Sequence, residues 1–162
     1  PIYGTKPNGA YGQSVSMSRN DTYLAIAAPG EHRVELWDYN NNNNNKIHIE
    51  NITMDGYPVQ VDMSDNGIVA IAVWFDTEGD TGLTQVYQFD SSSSGGGGDS
   101  WKPLGDKIHD EVTGPDSISI SKDGTIVAIG HASHENSFGC VRVYQLATTT
   151  TTAAVASAVN NN

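Results

Sequence analysis

One type of segment recurs three times along the chain, and this repeat constrains the fold more than any other feature of the sequence. Each copy has a strand-like segment ending in serine, then a short polar turn, then an apolar segment in which alanine or glycine alternates with larger residues. The apolar segments are residues 23–28, 68–73 and 126–131. The serines before the turns are Ser18, Ser64 and Ser121, about 50 residues apart. Such a period predicts stacked copies of one supersecondary unit.

The pattern predicts four antiparallel strands in each repeat. The first strand has an apolar residue at every second position, as in a half-buried strand. In the second strand the alternation of large and small residues gives one bulky face and one slotted face, so successive sheets can nest face to face. The third strand carries an aromatic residue at a shared position, Trp37, Tyr87 or Tyr144. The fourth strand is the most variable, and Pro103 within it suits only an edge strand.

A four-stranded antiparallel unit with a variable outer strand is typical of a β-propeller blade. We therefore predict an all-β chain with three tandem four-stranded blades of a partial β-propeller, at about residues 11–52, 57–108 and 115–159. Residues 1–7 are predicted to form one extra N-terminal strand, the outer strand of a preceding blade, because they resemble residues 103–107. Three blades are fewer than the roughly 4 to 8 that close a ring. The chain is thus expected to be a piece of a larger propeller or to complete one with other copies.

A low-complexity tract follows the third strand of each repeat. The tracts are residues 40–45 (Asn), 91–98 (Ser, then Gly) and 148–152 (Thr). Polar homopolymers cannot bury apolar surface, and the entropy of closing a loop grows only slowly with its length. The tracts are therefore predicted to be permissive surface loops, and the alternative is a recognition element built from Asn or Thr.

Several segments resemble known propeller repeats. Ser-x-Asp-Gly-x-x-Val-Ala-Ile-Gly at 121–130, Gly-Cys-Val-Arg-Val-Tyr at 139–144 and Trp-x-x-Leu-Gly at 101–105 are similar to the FG-GAP-like repeats of integrin-α-type propellers. The first repeat, with Trp37-Asp38, resembles a WD40 blade that lacks the Gly-His dipeptide. Both resemblances imply a platform for protein or glycan contact without chemistry of its own.

The composition excludes some classes of partner. The net charge is −11, with 8 Lys and Arg against 19 Asp and Glu. Nucleic-acid binding requires clustered basic residues on phosphates, so we predict no nucleic-acid partner. The longest apolar run is too short for a membrane span, which needs about 18 residues or more. Protein partners or further blades of the same assembly remain as the predicted partners.

An acidic loop is the candidate metal site. Asp76, Glu78 and Asp80 are carboxylates at alternate positions, a spacing with which a turn can wrap oxygen ligands around calcium. The FG-GAP-like resemblance implies a fuller acidic run, Asp-x-Asp-x-Asp-Gly-x-x-x-Asp, which this sequence lacks. Calcium is therefore a possible cofactor, and the competing interpretation is a solvated surface loop.

No group of residues in the sequence forms a catalytic motif. His131, His134 and Glu135 share one loop and offer zinc ligands, but a fourth ligand and a supporting helix are missing. Asp123-Gly124 is expected in a hairpin turn for backbone reasons alone. Cys140, the single cysteine, is predicted to be a small packed side chain. We therefore predict that the chain is not an enzyme.

Two sequons bear on the cellular compartment. Asn20-Asp21-Thr22 and Asn51-Ile52-Thr53 are acceptor sequences for N-glycosylation, and the Thr tract suits O-linked sugar. These features favour an extracellular or secreted glycoprotein with a structural or adhesive role. The alternatives are a cytoplasmic WD40-like scaffold and a glycan-binding, lectin-like propeller.

Overall fold

The structure is a computed structural model that describes residues 1–19, 21–38, 47–74, 82–90, 100–109, 114–132, 138–146 and 157–158. Of residues 47–49, Ala70 and 157–158 it describes the backbone only. The three low-complexity tracts lie outside the described residues.

Within this part of the chain, three antiparallel sheets follow one another along the sequence. Sheet 1 contains β1 (Val15–Met17), β2 (Tyr23–Ala28), β3 (Arg33–Asp38) and β4 (Ile47–Thr53), with a 3-10 turn at Pro29–Glu31. Sheet 2 contains β5 (Tyr57–Met63), β6 (Ile68–Trp74), β7 (Leu83–Asp90), β8 (Ser100–Pro103) and β9 (Ile108–His109). Sheet 3 contains β10 (Ser117–Ile120), β11 (Ile126–His131), β12 (Cys140–Gln145) and β13 (Ser157–Ala158).

In each sheet the strands lie side by side in chain order, which makes every sheet an antiparallel meander. The predicted all-β class and the tandem antiparallel units of a propeller-type fold are confirmed. The outer part of sheet 2 is more broken than predicted, because β8 and β9 both pair with β7 as separate short strands. Gly105, which lies between them, has a φ of 76°, a conformation that interrupts an extended strand.

The serine after the first strand of each sheet closes the following hairpin. Ser18 Oγ accepts a hydrogen bond from the Tyr23 amide at 2.9 Å, and Ser64 Oγ accepts one from the Ile68 amide at 2.9 Å. In the third repeat the same bond joins Ser121 Oγ to an amide of β11. A short hydroxyl side chain can satisfy a turn amide that no strand pairs, which explains why serine recurs here.

Sheets 1 and 2 stack through the slotted face of one and the bulky face of the other. Ala25 and Ala27 of β2 are fully buried in the same apolar core as Ile71 of β6. The remaining core members from both sheets are Val34, Leu36, Ile52, Met54, Val61, Met63, Val69, Val73, Leu83 and Trp101. The small residues of β2 therefore leave room for the branched residues of β6.

Sheets 2 and 3 stack in the same way. Ile68 and Val86 from the second face of sheet 2 share a core with Val127 and Ile129 of β11, and the last two are fully buried. Because side chains alternate between the faces of a strand, β6 serves two cores at once. Val69, Ile71 and Val73 pack on sheet 1, and Ile68 packs on sheet 3.

The N-terminal residues differ from the prediction. Residues 1–7 contain no strand, so the expected outer strand of a preceding blade is absent from this part of the structure. Instead, both the amide and the hydroxyl of Thr5 donate hydrogen bonds to the Glu31 carboxylate. A strand needs a neighbouring edge, whereas here a carboxylate takes up the backbone donor.

Substitution of Ala27 by leucine tests the nesting of sheets 1 and 2. We expect Ala27→Leu to lower the free energy of unfolding by about 1–3 kcal/mol, because the core around this fully buried residue has no room for a larger side chain. The control, Ala132→Leu, adds the same atoms at an exposed position and should change stability by less than about 0.5 kcal/mol. Urea denaturation followed by tryptophan fluorescence measures both, and equal effects would contradict the nesting.

Candidate interaction surfaces

The innermost strands are linked from sheet to sheet by side-chain hydrogen bonds. Ser14 Oγ, just before β1, and Ser16 Oγ of β1 accept hydrogen bonds from the amides of Val61 and Met63 on β5, both at 3.1 Å. In the next junction, Asp62 of β5 accepts a bond from the Ile120 amide of β10 at 2.8 Å. Each sheet thus offers acceptors from its first strand to the outward-facing amides of the next sheet.

The turns after these strands form a row of charges with alternating sign. Asp65 lies between Arg19 of sheet 1, at 3.9 Å, and Lys122 of sheet 3, at 3.4 Å. The side chains of Arg19 and Lys122 are mostly exposed, so each ion pair contributes little. Hydrogen bonds from Ser121 and Thr125 hold the pKa of Asp123 below its usual range within the third turn.

A buried polar network lies on the outer face of sheet 1, the face turned away from sheet 2. Arg33 pairs with Glu31 at 3.1 Å and with Glu35 at 2.6 Å. Tyr11 and Trp37 donate hydrogen bonds to the other oxygen of Glu35. This pairing offsets the desolvation cost of the buried charges, and it joins the N-terminal segment to β3.

The pKa shifts in this network follow from the same contacts. Hydrogen bonds from Thr5 hold the pKa of Glu31 below its usual range. Burial, with the adjacent Glu35 carboxylate, raises the pKa of Tyr11. Both shifts favour one protonation state at neutral pH, so the network acts as a fixed structural link.

An open cleft lies between the N-terminal segment and the outer face of sheet 1. Its volume is about 610 Å³, and it is lined by Pro1, Ile2, Tyr3, Thr5, Glu35, Trp37 and Asn51. The sequon residue Asn51 is therefore an exposed residue of β4 beside this cleft. Asn20, the other sequon residue, lies outside the described residues.

Exposed apolar residues lie at both ends of the stack of sheets. The outer face of sheet 3, turned away from sheet 2, exposes Val141 by 70%, Ile126 by 43% and Val143 by 40%. At the other end, Val15 and Met17 of β1 are exposed by 58% and 42%, whereas their counterparts Val61 and Met63 in β5 are buried. Positions that the inner junctions bury are thus exposed on sheet 3 and on β1, whereas Ile26 of β2 is buried on the outer face of sheet 1.

The structure brings together two residues that the sequence analysis treated separately. His131 and Cys140 are direct partners in the pairing of β11 with β12. Together with Asp116 they line an open cleft of about 400 Å³. His131 is buried, and Cys140 is partly exposed as a free thiol. Sequence reasoning missed the pair because their closeness depends on the hairpin register, which spacing alone does not give.

The predicted metal sites fall mainly outside the described residues. Asp76, Glu78 and Asp80 all lie there, so calcium binding by this loop stays a prediction. His134 and Glu135 also lie outside the described residues, whereas His131 lies within them. Within the described ranges no group of three His, Cys, Asp or Glu side chains is arranged to hold a metal ion. A search of the same residues finds no helix with the length and apolar character of a membrane span.

No protein-family model and no curated protein matches the sequence. The fold, in contrast, is similar to several solved structures. The periplasmic gluconolactonase PpgL of Pseudomonas aeruginosa matches with a TM-score of 0.64 and 14% identity, over 97% of this chain and 41% of that protein. Sqt1 of Saccharomyces cerevisiae matches with a TM-score of 0.60 and 13% identity, over 85% of this chain and 32% of that protein.

Hydrazine synthase of Kuenenia stuttgartiensis is a further match, with a TM-score of 0.55 and 14% identity, over 82% of this chain and 33% of that protein. The chain therefore spans less than half the length of each of these structures. At such low identity the likeness concerns the fold alone. It supports a propeller-type arrangement of sheets.

Proposed function

We propose that the chain is a non-enzymatic protein-interaction module that works within a larger propeller or assembly. The observation that carries this proposal is the exposed apolar face of sheet 3, together with the exposed Val15 and Met17 at the other end of the stack. Isolated exposed apolar residues are common on proteins, but contiguous apolar faces on regular strands are typical of interaction sites. The acidic charge of the chain is consistent with protein partners and opposes nucleic acid.

The two inner junctions support the same proposal. They bury the slotted face of one sheet under the bulky face of the next, and the outer faces consist of the same repeat positions. When a partner covers the face with Val141 and Val143, burial of its apolar area stabilises the complex by about 25 cal/mol per Å². A propeller with FG-GAP-like or WD40-like blades is compatible with this role.

A photo-crosslinking residue on the outer face of sheet 3 tests the interaction role. We expect benzoylphenylalanine at position 141 to give the same few protein adducts in repeated extracts of the producing cells, because Val141 is the most exposed residue of that face. The control places the probe at the exposed Asp106, away from both end faces. Excess chain without the photo-crosslinking residue should compete for the same partners and reduce the adducts. Equal labelling from both positions would contradict the proposal.

The pairing of Cys140 with His131 gives the sharpest test of the non-enzymatic role. A thiol beside an imidazole is an arrangement used in nucleophilic catalysis. We expect steady-state hydrolysis of p-nitrophenyl acetate, and of gluconolactone, to be equal for the chain and for Cys140→Ala, and close to the uncatalysed rate. The variant controls for stoichiometric acylation of a free thiol. Multiple turnover that is lost in Cys140→Ala would overturn the proposal.

We further propose an extracellular location, which rests on the sequons at Asn20 and Asn51. The exposure of Asn51 on β4 makes its side chain accessible to modification. Peptide mass spectrometry of the protein from its natural source should then find N-linked sugar on at least one of the two asparagines. Two unmodified asparagines would favour the cytoplasmic WD40-like scaffold instead.

A further inference from the structure

The chain carries both halves of a third stacking junction, one at each end. We propose that the outer face of sheet 3 binds the outer face of sheet 1 of a second copy, so that two copies close one six-sheet ring. This inference rests on the proposed function and names the partner of the same surface.

The apolar groups at the two ends complement each other as they do at the inner junctions. The outer face of sheet 3 has the small residues Ala128 and Gly130 on β11, directly opposite Val143 and Val141 on β12. At the inner junction of sheets 1 and 2, the same repeat positions are Ala25 and Ala27. The residues that cover those alanines come from a bulky face like that of sheet 1. The bulky face of sheet 1 still exposes Val15 and Met17, whereas Ile26 on the same face is already buried and Tyr11 of the N-terminal segment is bound to Glu35 there.

The hydrogen-bonding groups at the ends also match. Ser117 and Ser119 of β10 are exposed and occupy the repeat positions of Ser14 and Ser16. The hydroxyl oxygens of Ser14 and Ser16 accept hydrogen bonds from the backbone amides of Val61 and Met63 on β5.

The equivalent amides of a second copy are those of Val15 and Met17. Backbone bonds at Ser14 and Ser18 point toward β2, so the amides between them point to the outward edge of β1. A docked second copy would therefore make two serine-to-amide bonds of the kind seen between sheets 1 and 2.

The number of sheets is compatible with a closed ring. A contact between different surfaces of identical chains is heterologous, and it forms a ring when the rotation closes and a filament when it does not. Two copies of three sheets give six sheets, within the range of about 4 to 8 at which propellers close. Each copy then uses the outer face of sheet 3 and the outer face of sheet 1.

The turn charges make this junction weaker than the inner ones. At the inner junctions Asp65 lies between Arg19 and Lys122, whereas the new junction places Lys122 beside the Arg19 of a second copy. The two copies also repel each other through their net charge of −11. Salt screens both repulsions, so association should strengthen between about 0.05 and 0.5 M NaCl.

Sedimentation equilibrium of the full chain tests the proposal. We expect a mass of twice 17.3 kDa at protein concentrations on the order of 100 µM in high salt. Either Met17→Glu or Val143→Glu should weaken association by about tenfold or more, because each buries an unpaired charge at the junction. The control, Gln88→Glu, adds a charge at an exposed residue of β7 and should leave the dissociation constant unchanged.

Mixing the two variants distinguishes the head-to-tail junction from a symmetric one. A mixture of Met17→Glu and Val143→Glu chains retains one intact pair of faces, so dimers should reappear in the mixture although neither variant dimerises alone. Circular dichroism and urea denaturation at low concentration must show that both variants fold like the unmodified chain.

Three outcomes would overturn the inference. They are a monomer at the highest concentration in high salt, a dimer that resists Met17→Glu, or a mixture that fails to restore association. A monomer that still gives specific adducts from position 141 would leave the interaction role standing with another protein as the partner. Loss of both association and adducts would remove the proposed function as well.

Discussion

The nesting of a small-residue face against a branched-residue face is the constraint on which this structure depends. A single antiparallel sheet of four strands has two faces. It cannot shield the apolar side chains of both faces from water unless other sheets pack against it. In β2 and β6 the alternation of alanine with isoleucine or valine assigns one face to each neighbour. The order of the sheets in space therefore follows from the order of residues within a strand, since a shift by one residue would exchange the two faces.

Apolar contacts hold neighbouring sheets together, and polar groups fix the position of one sheet relative to the next. Apolar packing is not directional, whereas the bonds from Ser16 and Asp62 to the amides of the following sheet define one position along the strand. The bond from the Trp101 amide to Glu50 does the same at the outer strands. The T-shaped contact of Trp101 with Tyr23 adds an aromatic link between sheets 1 and 2. The junction of sheets 1 and 2 is thus held at both its inner and its outer end.

Much of this architecture was predictable from the sequence because it depends on a period of two within strands and on a longer repeat between sheets. The strands around Ile26, Ile71 and Ile129 were found for that reason. The network of Arg33 with Glu31 and Glu35 was not, because it joins one strand to an N-terminal segment that follows no period. The wrong strand at residues 1–7 has the same cause, since a short similarity to residues 103–107 carries no information about the neighbouring edge.

The candidate surfaces follow from the fold in a way that the motifs did not anticipate. The motifs in the sequence pointed to loops, as at Asp76 and His134, whereas the candidate interaction surfaces lie on strands. Val141 is apolar because its repeat position is a stacking position, as shown by the burial of the stacking faces at the inner junctions. An exposed apolar residue at a stacking position of the repeat therefore indicates a surface suited to packing, which an isolated exposed valine does not. In the proposed dimer it marks where the face of a second copy packs, and the acidic charge of the chain makes that association dependent on salt as well as on shape.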